Sequence, residues 1–139
     1  MSISTAELMK KIRYTMDIGE FREQNREEFL SEEPHMYLAR IQQEKGGKLP
    51  AICTAAELDP SYCYRIFSGA RMPSRNTLLR LAISMGMDVK ETQHALRLYG
   101  LARLDPRCYR DAAILFGISK QSGYAQITEL LSELGEDKL

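Results

Sequence analysis

The strongest constraint in this chain is a broken apolar rhythm between Lys48 and Asp88. Leu49, Ile52, Cys53 and Ala56 recur at the spacing that places side chains on one face of a helix. Leu58-Asp59-Pro60-Ser61 interrupts them, and Tyr62, Cys63, Ile66 and Phe67 begin a second run. Aspartate suits a helix N-cap. Proline suits the first helical position, because its missing N–H is one that a helix start leaves unbonded anyway. The interruption therefore predicts a stop and a restart. Gly69 is expected to close the second helix, with Ala70-Arg71-Met72-Pro73 as a basic loop. Ser74 is expected to cap a third helix from Arg75 to Met85, ending at Gly86.

Two short helices joined by a few residues, with another packed behind, form a unit that can present one helix to a DNA groove. The residues themselves carry a resemblance. I-F-S-G-A-R-M-P-S-R (Ile66 to Arg75), followed by T-L-L-R-L-A-I-S-M-G-M-D (Thr77 to Asp88), looks like the helix-turn-helix of the lambda-repressor/Cro-like (XRE) class. The shared features are a helix-ending glycine, then a basic residue, then Pro-Ser opening the next helix, which runs through Leu-Ala to glycine. The resemblance spans roughly Pro34 to Gly100. It implies a five-helix DNA-binding domain of a transcriptional regulator, with Pro60 to Ser68 as the recognition helix. In relatives of that fold the positions matching Pro60, Ser61 and Arg65 commonly meet bases. The chain departs from the pattern in three places. Glu57 stands where the turn usually has glycine, Leu49 where a phosphate-binding glutamine is common, and Phe67 where glutamate is usual.

Helical spacing divides the proposed recognition helix between core and solvent. Cys63, Ile66 and Phe67 face inward; Ser61, Tyr62 and Arg65 face out, with Tyr64 and Ser68 more oblique. Arg65 is the strongest candidate for a base contact, since a guanidinium can grip guanine O6 and N7 with two bonds. Pro60 has no N–H to donate, so Ser61 joins Arg65, and Tyr62 can pack on a thymine methyl. For the phosphates the expected set is Lys48, Ser68, Arg71, Ser74 and Arg75, with the N–H groups that open the helix after Ser74. A surface arginine paired with an acid is the plain alternative for Arg65, and a simple cap the plain alternative for Ser74.

Net charge is zero over 139 residues, but it is unevenly spread. Residues 48–104 carry 8 basic and 4 acidic side chains, whereas residues 1–47 and 105–139 are each net negative by two. The positive excess coincides with the motif, as a phosphate footprint requires.

Around the motif the expected architecture is all-α. A five-helix lambda-repressor-like domain occupies 34–103, preceded by an N-terminal helical extension (1–33) and followed by a C-terminal helical hairpin (104–139). Ser4 to Glu7 reads as a capping box opening a helix with Leu8, Met9, Ile12 and Met16 as its stripe. Phe21 and Phe29 anchor a charged second helix, which reads as a solvated face or as an arm against a second subunit. Pro34 opens the next helix, with Leu38 and Ile41 as core, and Asp88 and Glu91 form another capping box. Asp105-Pro106 reads as a second helix start, with Cys108, Ala112, Leu115 and Ile118 inward. Tyr124, Ile127, Leu131 and Leu134 line a last helix. Y-R-D-A-A-I-L-F (Tyr109 to Phe116) resembles an extension found in one group of bacterial XRE-like proteins.

Other chemistries find little material. Cys53, Cys63 and Cys108 are odd in number and sit among apolar neighbours, so buried reduced thiols are expected rather than disulfides. His35 and His94 show no ligand pairing, and no metal or cofactor is expected. No glycine-rich phosphate loop or catalytic triad signature is present, so no enzymatic activity is expected. With no signal-peptide pattern and no apolar run of membrane-spanning length, a bacterial-type cytoplasmic protein is expected. The expected partners are double-stranded DNA and a second copy in a homodimer. The alternative is a protein-interaction module, such as an antitoxin or adaptor, that uses the same fold without DNA.

Overall fold

Five helices among the described residues begin at a side chain (Ser4, Asp17, Asp59, Ser74 or Asp88) that accepts a hydrogen bond from the first turn. The computed structural model describes residues 3–26 and 32–139, which form nine α-helices and no strand. They divide into two units, Met1–Ser31 and Glu32–Leu139.

In the first unit, α1 (Thr5–Tyr14) starts at Ser4, whose side chain accepts from the Glu7 N–H, and α2 (Ile18–Gln24) starts at Asp17. The Asp17-Ile18-Gly19 break is thus the cap of the next helix. Lys11 donates to Asn25 Oδ1, and the Asn25 amide donates to the Phe21 carbonyl at 2.9 Å. Phe21 is buried, whereas Met9, Ile12 and Met16 of the expected α1 stripe are exposed. Phe29, the other expected anchor, lies outside the described residues.

The second unit contains α3 (Pro34–Lys45), α4 (Leu49–Ala55), α5 (Pro60–Ser68), α6 (Arg75–Ser84), α7 (Val89–Leu98), α8 (Tyr109–Ser119) and α9 (Tyr124–Glu133). Asp59, Ser74 and Asp88 each cap the following helix through the side chain, and Asp88 and Glu91 form the reciprocal pair of a capping box. Each such cap is worth about 1 kcal/mol relative to alanine. α5 packs on α3 and α4. α6 packs on α4, α7 and α9, α3 on α7, and α8 joins α7 to α9. Leu38, Ile66, Leu78, Leu79, Leu81, Leu96, Ile114, Ile127 and Leu131 are fully buried in one continuous core that includes the C-terminal pair.

Three sequence expectations are corrected. Cys53 and Cys63 are buried as expected, but they are bonded to each other in a disulfide between α4 and α5. The α4–α5 packing turns the inner faces of both helices onto one another, which residue spacing alone does not reveal. Cys108 is exposed, because it is the N-cap of α8 and stands outside the helix body. The start of α8 also lies at Tyr109 rather than at Asp105-Pro106. Asp105 instead closes a turn, accepting from the Arg107 N–H on its side chain and from the Cys108 N–H on its carbonyl. The buried row of α8 is therefore Asp111, Ala113, Ile114, Gly117 and Ile118, with Ala112 and Leu115 only half-buried.

Gly117 is where α8 and α9 come closest. A Cβ there would lie 2.5 Å from Ile127 Cγ1, whose side chain has no exposed surface to retreat to.

Candidate nucleic-acid interface

The connection between α4 and α5 sets the angle of α5. Glu57 takes the left-handed conformation (φ 55) that glycine adopts without cost. The strained turn is held from below by α6. Arg80 donates to the Ala56 carbonyl at 2.8 Å and to the Glu57 carbonyl at 2.6 Å, and its guanidinium lies over the Tyr124 ring. The arginine thus ties the turn to both α6 and α9. At the other end of α5, Gly69 has φ 86, and a Cβ there would meet His35 Nδ1 at 2.8 Å. His35 therefore abuts the end of α5, while His94 packs edge-on against Tyr37 with ring centroids 4.8 Å apart.

Between these supports α5 is two-faced. Cys63, Ile66 and Phe67 are buried; Ser61, Tyr64, Arg65 and Ser68 are exposed. With 3.6 residues per turn, Ser61, Arg65 and Ser68 point opposite the buried triad, and Tyr62 and Tyr64 occupy the two flanks. Tyr62 is half-buried against the core, and Tyr64 is 43% exposed. Sequence reading favoured Tyr62 over Tyr64. The two are equivalent on a helical wheel, and only the packed neighbours separate them.

Arg65 has no ion pair or side-chain hydrogen bond among the described residues, and neither does Arg71. The two are close along the backbone: the N–H groups of Ala70 and Arg71 both donate to the Arg65 carbonyl, at 2.9 and 3.1 Å. Lys48 is exposed as the N-cap of α4. The Ser68 hydroxyl donates to the Arg65 carbonyl. Ser74 caps α6, its Oγ accepting from the Thr77 N–H and bonding the Thr77 hydroxyl.

Arg75 is placed differently from the expectation. Its guanidinium donates to both carboxylate oxygens of Asp111 and to the carbonyls of Ala102 and Arg103. Asp111 also accepts from the Asp105 N–H at 3.0 Å. Burial pushes the Asp111 carboxyl up. The hydrogen bonds from Arg75 and Asp105 and the charges of Arg75 and Arg110 outweigh it, leaving the group below the ordinary 3.8. The Arg75 side chain is thus committed to the C-terminal segment.

Two core tyrosines have displaced acidity. Burial, with the Glu91 charge second, raises Tyr37 to about 12, and burial raises Tyr99 to about 12. Both stay protonated at neutral pH. Among the described residues no three His, Cys, Asp or Glu side chains converge as metal ligands would, and no helix is long and apolar enough to cross a membrane. A cavity of about 720 Å³ opens between the α6–α7 and α8–α9 turns, lined by Ser84, Met85, Met87, Ile118 and Gln121 among others. It shares no residue with α5.

No protein-family model, curated protein or solved structure matches this chain.

Proposed function

We propose that the 32–139 unit is a sequence-specific, double-stranded-DNA-binding regulator of the lambda-repressor/Cro-like type that lays α5 in the major groove. The observation that carries this reading is the division of α5. One face is locked into the core by Cys63, Ile66 and Phe67, and the opposite face offers Ser61, Arg65 and Ser68 to solvent, with Arg65 unpaired among the described residues. An unpaired arginine on a rigid helix is what base readout requires, because the side chain gives up no existing partner on binding. Arg71, in the loop that follows the same helix, and Lys48 supply charge for the backbone, with the capped start of α6 three residues beyond Arg71. Arg75 acts instead as a strut to Asp111. Two copies related by a two-fold axis would read half-sites about 34 Å apart.

Fluorescence anisotropy against a pool of genomic fragments tests the reading. A specific complex at moderate salt that Arg65→Ala weakens is the expected result. The absence of any complex, or one indifferent to Arg65, rules it out.

A protein-interaction role is the second reading, favoured by one observation. Tyr109 and Phe116 on α8 are 61% and 56% exposed, an aromatic pair that DNA readout by α5 leaves unused.

A further inference from the structure

Cys53 lies on α4 and Cys63 on the second turn of α5, and the bond between them joins the two helices of the candidate interface. Both residues are at most 1% exposed. Breaking the bond removes the covalent tie between α4 and α5 and leaves their contact to side-chain packing alone. Arg80 of α6 grips the carbonyls at the C-terminal end of α4, so the tie to Cys53 anchors α5 to a helix that α6 holds. Both helices present a face to solvent, and α5 packs on α3 as well as on α4.

We propose that the Cys53–Cys63 pair is a redox-controlled clamp on α5: the bonded form fixes the helix, and reduction loosens it. Its consequence for duplex affinity rests on the function proposed above; the clamp itself does not. The reductant is a dithiol. One of its thiolates attacks a sulfur of the pair, the S–S bond breaks, and the other cysteine leaves as a thiolate. The second reductant thiol then resolves the mixed disulfide. Two protein thiols form, the two protons come from the reductant, and the reductant ends as a disulfide. Because both sulfurs are buried, exchange proceeds through transient opening of the α4–α5 contact. In a reducing compartment the pair rests as thiols, and the clamp closes by the same exchange run backwards, a small-molecule or protein disulfide taking up the two electrons and two protons and ending as a dithiol.

The full chain carrying Cys108→Ser, which removes the exposed thiol, gives the test. After diamide treatment and denaturation in guanidinium, no thiol is expected to titrate, and two are expected after dithiothreitol; two after diamide overturn the pairing. Hydrogen exchange on the folded protein then reads the clamp. Amides of residues 60–69 are expected to exchange at least about fivefold faster when reduced, and Cys53→Ala/Cys63→Ala is expected to match the reduced form and ignore the reductant. A duplex that binds the oxidised form is expected to bind the reduced form at least about fivefold more weakly. Identical exchange over 60–69 in both states overturns the proposal and leaves the bond a passive staple. A change in exchange with no duplex bound in either state upholds the clamp and sinks only the DNA reading.

Discussion

Arg80 reaches from α6 to the carbonyl of Glu57, the one residue between α4 and α5 held in a left-handed conformation. A charged side chain thus braces a turn that glycine would make without strain. Arg80→Met removes both hydrogen bonds while keeping much of the packing, and is expected to cost about 1–2 kcal/mol in urea denaturation. Glu57→Gly relieves the turn but frees the unfolded chain, for a net gain of about 0.5–1 kcal/mol. A Glu57→Gly protein that melts lower than the parent would contradict this account of the turn.

The Arg75–Asp111 pair makes stability depend on acid. Because the folded carboxyl lies below its ordinary 3.8, the pair's contribution is complete above that value and is lost as pH falls through the lowered folded value. Asp111→Asn is expected to cost about 3 kcal/mol near neutrality, since it leaves a partly buried guanidinium without its charge partner. The gap between variant and parent should close as pH falls below the lowered value. Thermal melts of both proteins from pH 7 downward check this, and a gap that stays constant would remove the ion pair as its cause.

On the DNA-binding function proposed above, Arg65→Ala and Arg71→Ala should separate two kinds of contact. Loss of Arg65 should cost about 1–3 kcal/mol and relax preference at one base position. Loss of Arg71 should weaken all sequences alike and lower the slope of log affinity against log salt by about one. Both side chains are exposed and unpaired among the described residues, so neither change should move the melting temperature. Titrations at several salt concentrations distinguish the two patterns.

Gly117→Val inserts a branched side chain where Ile127 leaves no room. Overpacking of this kind costs about 1–3 kcal/mol. Calorimetry should show that loss; an unchanged melting temperature would mean that α8 and α9 can part freely.

What was legible in the sequence is what local chemistry decides. Asp59, Ser74 and Asp88 announced their helices because a cap and the N–H it satisfies lie within three residues. The span Pro60 to Ser68 was readable for the same reason. The inward face of α8 was not. It contains a carboxylate, Asp111, that apolar periodicity discards, and what makes its burial tolerable is an arginine 36 positions away. The same partnership, also invisible in the sequence, engages the Arg75 guanidinium within the chain. The Cys53–Cys63 bond depends on how two helices cross, which neither helix encodes alone. Tyr62 and Tyr64 flank one stripe symmetrically, and only the packed neighbours distinguish them.

α6 is enclosed on nearly every side: Leu78, Leu79, Leu81, Ala82 and Ile83 are all buried, and α4, α7 and α9 share the covering. Such a helix has no outward side to spare. A shortened protein ending near Leu104 would uncover the strip that α9 shields and would gather into aggregates through it. Any dissection of this molecule therefore has to keep residues 32–139 together, because the tail supplies one wall of the room in which the central helix stands.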